Sequence, residues 1–171
     1  MTLALRLAEF AVHPPTLPPL ALERAKMSLA STVASAAAGY DIASAAIVRR
    51  LELENGGRPD ASVWFSEARL PLAAASRVNA VASDAAASDD SDLRSIAHIG
   101  TIVSTVGIAL GERCASKGED ILAAMVLGYE IAGRIDEALP PGRMQRGFPG
   151  SVSPVFGGVV AAGRLLGLDV P

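Results

Sequence analysis

Residues 118–135, GEDILAAMVLGYEIAGRI, contain the pattern that best predicts the fold. Ala124, Gly128 and Ala132 are spaced four residues apart, so in a helix they lie on one face. Because these residues are small, a second helix can approach that face closely. We expect the helix to continue to Leu139, where two prolines end it. This segment predicts a core helix in a helical protein.

The composition supports the same fold class. Of the 171 residues, 50% are hydrophobic, 19% are charged and 4% are aromatic, which excludes a disordered chain. Alanine supplies about a fifth of the residues. Alanine favours helices but buries little apolar area per residue, so the core should be thin. We therefore expect the chain either to be marginally stable alone or to be stabilised by burying its faces against another chain.

Apolar spacing and turn-forming residues divide the rest of the chain into helices. We expect an all-α, irregular multi-helix fold in a single domain, residues 1–171, with Asp41 as one helix N-cap and Ser116 and Glu119 forming a capping box. One short strand is expected over Ala61–Phe65. The predicted helices cover residues 2–12, 19–38, 41–55, 71–87, 96–114 and 116–139, and a last helix begins at Pro154.

Charge, cysteine content and apolar run length exclude several functions. A net charge of −3 gives no basic footprint for nucleic acid. Cys114 is the only cysteine, so no internal disulfide forms, and we expect it to be a buried or partly buried structural thiol. The uncharged run Ile99–Gly111 is too short to span a bilayer. We expect a soluble, cytoplasmic protein without membrane or nucleic-acid partners.

Titratable residues gather in one polar region between apolar helices. Carboxylates and an imidazole close in sequence can perform acid–base catalysis. Three alternatives remain: a solvated loop with Asx turns, a structural histidine, or a metal site formed by Asp89, Asp90 and His98 without recognised spacing. The residues are Asp84, Asp89, Asp90, Ser91 and His98, followed by Arg143 and Arg146 in a later loop.

Residues 78–100, VNAVASDAAASDDSDLRSIAHIG, resemble a conserved stretch of the MmgE/PrpD family. This family includes 2-methylcitrate dehydratase, cis-aconitate decarboxylase and iminodisuccinate epimerase. Residues 118–135 are similar to the family's G-x-x-L-x-A-x-x-x-G-Y-E helix, and residues 155–169, VFGGVVAAGRLLGLD, to its F-G-A-A-A-A-A-A-x-L-L-G-L-D segment. The three matches occur in the family's order between residues 78 and 169, and we expect the resemblance to cover nearly the whole chain.

The resemblance implies site residues, with some departures from the family pattern. His98 matches the histidine of a His-Pro-Gly motif, although Ile99 replaces the proline, and Ser91 replaces the usual threonine. Ala87 stands where the family has an active-site aspartate, and Asp84 where a histidine is frequent. The family's later R-G-F-H-P motif is present as residues 146–149 without its histidine. By resemblance, the catalytic residues are His98, Asp90 and Ser91, and the substrate-binding residues are Asp89, Arg143 and Arg146.

The resemblance also implies a reaction class. Family members are lyases or isomerases that act on small carboxylates by acid–base proton transfer, and we expect no cofactor and no metal. They are more than twice as long and have a lid domain whose basic residues help to hold the substrate. We therefore expect a second chain that supplies the lid half, a homo-oligomer, or both. The alternatives are a catalytically degenerate structural subunit and an independent helical interaction module.

Overall fold

The structure is a computed structural model that describes residues 1–93, 97–139, 145–147 and 152–170. Helices account for most of the described residues, and the only described strands are two residues long, so the predicted all-α fold is confirmed. The helices are α1 Leu3–Val12, α2 Pro19–Gly39, α3 Ala43–Asn55, α4 Leu72–Ala85, α5 Ile99–Cys114, α6 Gly118–Ala138 and α7 Pro154–Leu165. The strands are β1 Ala61–Ser62 and β2 Arg69–Leu70.

The predicted helices form, but two predicted N-caps are wrong. Ile42, not Asp41, is the N-cap of α3, and the carboxylate of Asp41 instead lies 3.7 Å from Arg49. Lys117 is the N-cap of α6 and makes no side-chain capping bond, so the box of Ser116 and Glu119 does not form. Glu119 and Asp120, in the first turn of α6, instead stabilise this end of the helix through favourable interaction with the helix dipole.

The predicted strand Ala61–Phe65 is shorter than expected and pairs with a strand that the sequence did not reveal. Only Ala61 and Ser62 pair, antiparallel, with Leu70 and Arg69. The backbone leaves the sheet at Trp64, whose N–H donates to Asn79 of α4 at 3.0 Å. The next residue is in the left-handed region, with φ of 61°. The N–H of Val63 still donates to the carbonyl oxygen of Ala68 at 2.9 Å, so the Asn79 side chain binds the first N–H beyond the hairpin's backbone hydrogen bonds.

Helix α5 lies at the centre of the fold, packed against α2, α4, α6 and α7. The predicted close approach to α6 is confirmed, and the helix that makes it is α7. A Cβ added at Gly128 would lie 2.6 Å from the carbonyl oxygen of Gly157, and one added at Gly157 would lie 2.8 Å from that of Gly128. The two backbones are therefore in direct contact, which no side chain at either position would allow.

The start of α5 is buried in one of the apolar clusters. That cluster contains Ala97, Ile99, Val103, Met125 and Ala132, all 1% exposed or less. The predicted helix start at Ile96 lies outside the described residues. The first turn of α5 is therefore packed in the core.

Two sequence expectations concern the molecular surface. Cys114 is exposed at the end of α5, so the expectation of a buried thiol is wrong. Its position in the last turn, before left-handed Ala115, places it at the rim of the molecule. Within the described ranges, no single helix combines the length and apolarity needed to cross a membrane. Among the described helices, only α2 and α3 taken together reach that length and apolarity, and they are sharply bent relative to each other.

Candidate functional site

The candidate site lies where the loop after α4 meets the first turn of α5. This loop contains Asp89, Asp90 and Ser91, and His98 is the N-cap residue of α5. The aspartate pair does not form the solvated loop that was the simplest interpretation of the sequence. Both carboxylates turn inward, because hydroxyl groups from three helices bind them.

Asp89 and His98 form a hydrogen-bonded pair. Oδ2 of Asp89 lies 3.1 Å from Nδ1 of His98 and accepts a 2.6 Å hydrogen bond from Oγ1 of Thr101. The side chain of Asp89 is 1% exposed, whereas that of His98 is 46% exposed. With its proton on Nδ1, the imidazole donates to Asp89 and leaves Nε2 free to accept a proton. A buried carboxylate thus orients a solvent-accessible imidazole.

Hydroxyl groups connect this pair to the protein interior. Oγ1 of Thr101 lies 3.1 Å from Oγ of Ser83 on α4, and both residues are fully or almost fully buried. On α2, Ser35 donates to the carbonyl oxygen of Ser83 at 2.7 Å. Because α2, α4 and α5 all contribute, the position of Asp89 is fixed by helix packing. The N-terminal end of the α5 dipole also stabilises a negative charge there.

Asp90 occupies a different environment from its neighbour. Its Oδ2 accepts hydrogen bonds from Oγ of Ser28 at 2.7 Å and from the hydroxyl of Tyr129 at 3.2 Å. Burial raises the pKa of Asp90 above its usual value of 3.8, against the opposing effect of the Ser28 and Tyr129 hydrogen bonds. Its Oδ1 is buried and has no hydrogen-bond partner among the described residues. The adjacent aspartates are therefore suited to different roles.

Gly100 makes room for the Asp90 carboxylate. A Cβ at this position would lie 2.1 Å from Oδ1 and 2.3 Å from Oδ2 of Asp90. The carboxylate thus rests directly on the backbone of the first turn of α5. Gly100 is a site residue that sequence reasoning missed, although it stands at the glycine position of the His-Pro-Gly motif matched at His98.

Other contributors to the site could not be recognised from local sequence. Ser28 is 62 residues from Asp90, Tyr129 is 39 residues away, and Thr101 is 12 residues from Asp89. Serine and threonine are common inside helices, so nothing in their spacing marks these as partners of a carboxylate. The only available signal is Tyr129, which lies in the Gly-Tyr-Glu of residues 118–135.

The remaining predicted site residues do not join this cluster. Ser91 is exposed and makes no hydrogen bond to a described residue. Arg146 is exposed in the short described turn of residues 145–147, and Arg143 lies outside the described residues. The roles of these three residues stay predictions.

The geometry also defines which residues could hold a metal ion. Asp84, Asp89 and His98 each offer one ligand atom, and these atoms lie within 4.8 Å of one another. The candidate metal ligands thus include Asp84 and not Asp90, which the sequence had placed with Asp89 and His98. Two carboxylates and an imidazole are donors that suit divalent first-row metals. The same three side chains can instead exchange protons with a bound molecule.

Comparison with protein families agrees with the resemblance found in the sequence. The model of the MmgE/PrpD N-terminal domain matches residues 6–171. Among curated proteins, none matches the sequence significantly. The matched range includes every residue of the site and all seven described helices except the first residues of α1. The chain therefore belongs to the MmgE/PrpD family and contains its N-terminal domain.

Proposed function

We propose that this chain is the proton-transferring subunit of an MmgE/PrpD-like lyase or isomerase that acts on a small carboxylate. The observation that carries the proposal is the pair of Asp89 and His98. A solvent-accessible imidazole whose Nδ1 is held by a buried carboxylate is a recurring arrangement for general acid–base catalysis.

His98 is assigned the proton transfer itself. Its Nε2 takes a proton from the carbon next to a carboxylate or carbonyl of the substrate, and the electron pair of the broken C–H bond delocalises onto that group. In an elimination, this electron pair then expels the hydroxyl group on the adjacent carbon, which takes the proton from the His98 imidazolium and leaves as water. In an epimerisation, a proton from solvent adds to the opposite face of the carbon, and His98 releases its proton to solvent. Asp89 stabilises the imidazolium that forms between these steps.

Asp90 and Ser91 are assigned supporting roles. With its pKa raised by burial, Asp90 can remain protonated at a higher pH than an exposed aspartate and so act as a hydrogen-bond donor. Ser91, exposed on the same loop, offers a hydroxyl to the substrate. Arg143 and Arg146 are proposed to bind substrate carboxylates. A second chain would supply the lid and further cations, because developing negative charge requires several donors.

Proton exchange tests this assignment without knowledge of the substrate. The tagged chain would be purified with its natural partners and incubated in D2O with a panel of di- and tricarboxylates, and deuterium incorporation would be followed by NMR. His98→Ala should reduce exchange at least 100-fold, in line with loss of a general acid–base group, about 10²–10⁴-fold. Asp89→Asn should reduce it at least tenfold.

The chain offers a matched control for this experiment. His13→Ala removes the only other histidine, which is the exposed C-cap residue of α1. This variant should exchange protons like the wild type. Wild-type exchange in His98→Ala would overturn the catalytic assignment.

The second candidate is a catalytically degenerate subunit that stabilises or regulates an active partner. The observation in its favour is Ala87, an exposed residue with φ of 49°, at the position where the family has an active-site aspartate. On this view, His98→Ala would leave both complex formation and exchange unchanged. Ala87→Asp places a carboxylate at the family's active-site position. If the rest of the site is intact, this variant should incorporate deuterium faster than the wild type.

A further inference from the structure

An open cavity of about 740 Å3 lies between the end of α1, the segment that precedes α2, α2 itself and α6. Its walls are mainly apolar and include Phe10, Leu17, Ala21, Met27 and Met125. Cavities of about 300–1,000 Å3 with apolar walls and a few polar groups are typical binding sites for small organic molecules. His98 does not line the described cavity, so the cavity is distinct from the imidazole of the candidate site.

Polar groups meet on one side of this cavity. Asp90, Ser28 and Tyr129 all line it, and they are joined by the hydrogen bonds to Oδ2 of Asp90. The second oxygen of that carboxylate is buried and has no partner among the described residues. Because that oxygen lies against Gly100, a ligand in the cavity would meet the carboxylate through the hydrogen-bonded group of Oδ2, Ser28 and Tyr129. The cavity thus has a hydrogen-bonding group, formed by Asp90, Ser28 and Tyr129, in a mainly apolar wall.

A cation lies one helical turn away. Arg24 precedes Ser28 by four residues on α2, so the two share a face of the helix, and Arg24 also lines the cavity. Its guanidinium donates to the sulfur of Met27 at 3.5 Å, which is a weak acceptor, and it forms no ion pair with a described carboxylate. By contrast, Arg134 is already paired with Glu130 at 2.5 Å. Among the described residues that line the cavity, Arg24 is therefore the cation available to a ligand.

We propose that this cavity binds an organic acid with an apolar body, whose carboxylate pairs with Arg24 and whose hydroxyl or carbonyl group meets Asp90. The apolar walls exclude small polycarboxylates as occupants, because their additional charges would lose hydration without gaining a partner. The proposal rests on the cavity and does not require any chemistry at His98.

Calorimetric titration of the full chain with sodium octanoate tests the proposal. Octanoate should bind saturably, octan-1-ol more weakly, and citrate not detectably. 3-Hydroxyoctanoate should bind several-fold more tightly than octanoate, and Asp90→Ala should abolish that difference. Equal binding of octanoate and citrate, or no binding of octanoate, would overturn the proposal.

Two substitutions localise the binding site. Arg24→Gln changes an exposed residue, so the variant should fold, and it should weaken octanoate binding about tenfold while leaving octanol binding unchanged. Ala21→Trp should fill the cavity and weaken both ligands, with folding checked by circular dichroism. Arg50→Gln on α3, outside the cavity lining, is the matched control and should bind like the wild type. Unchanged octanoate affinity in Arg24→Gln would overturn the assigned orientation.

Discussion

At the scale of single residues, Gly100 permits the inward position of the second aspartate. A methyl group there would overlap the Asp90 carboxylate, which Ser28 and Tyr129 hold in place. We expect Gly100→Ala to lower the free energy of unfolding by about 1–3 kcal/mol, the usual cost of overpacking, despite the gain in helix propensity. Urea denaturation measures the change.

A matched glycine and a double variant make this prediction specific. Gly118, at the start of α6, has nothing within 4 Å of an added Cβ, so Gly118→Ala should leave stability unchanged or raise it by up to about 1 kcal/mol. Adding Asp90→Ala to Gly100→Ala removes the overlapping carboxylate. If the double variant is no more stable than the sum of the single changes predicts, the overlap is not the cause.

The raised pKa of Asp90 also predicts that the free energy of unfolding depends on pH. Because burial raises its pKa in the folded protein, the folded state binds the proton more tightly than the unfolded chain does. This contribution to stability is present below the usual pKa of 3.8 and is lost as the pH rises through the raised value. The negative charge of Asp89 also raises the pKa of Asp90, and the positive charge of His98 lowers it.

Asp90→Asn tests that sign. The amide has no charge to bury, so the variant should melt at a higher temperature than the wild type at pH 7–8, and the difference should shrink as the pH falls toward 4. Thermal unfolding followed by circular dichroism gives both values. Asp41→Asn is the control, since the Asp41 carboxylate is 92% exposed. A difference that grows toward acidic pH would contradict the burial argument.

At the scale of secondary-structure elements, the crossing of α6 and α7 depends on two glycines. A Cβ at Gly128 meets backbone, which cannot move aside as a flexible side chain can. We expect Gly128→Ala to destabilise the protein by about 1–3 kcal/mol in urea denaturation. Gly163→Ala in α7 adds a Cβ at an ordinary 3.8 Å contact and should raise stability by about 0.5–1 kcal/mol. Equal effects of the two substitutions would contradict direct backbone contact at the crossing.

The helices were predicted from local sequence, whereas two N-caps and one strand were not. The seven helices were predicted from apolar spacing and prolines, since these signals act within a few residues. The N-caps of α3 and α6 were wrong, because a favourable cap residue is only one of several ways to satisfy the first turn. Strand β2 was missed because Arg69 and Leu70 carry no strand pattern of their own.

At the scale of the whole molecule, burial is distributed unevenly among the helices. None of the residues of α1 is buried, whereas most residues of α5 are. Local opening is easiest where few contacts are lost, so amide hydrogens of α1 should exchange with solvent much faster than those of α5. Hydrogen exchange followed by mass spectrometry compares the two helices in one sample. Comparable protection of α1 and α5 would show that burial within this chain does not set its local stability.

The sequence by itself determined the helical fold, the family and the stretch in which the site residues lie. These properties depend on local spacing and on residue order, which can be read along the chain. Only the tertiary structure decided that the aspartate pair is buried, and that Asp89 binds His98 while Asp90 lines a cavity. The reason is physical: the environment of each carboxylate is set by Ser28, Thr101 and Tyr129, which helix packing brings to it from distant parts of the sequence.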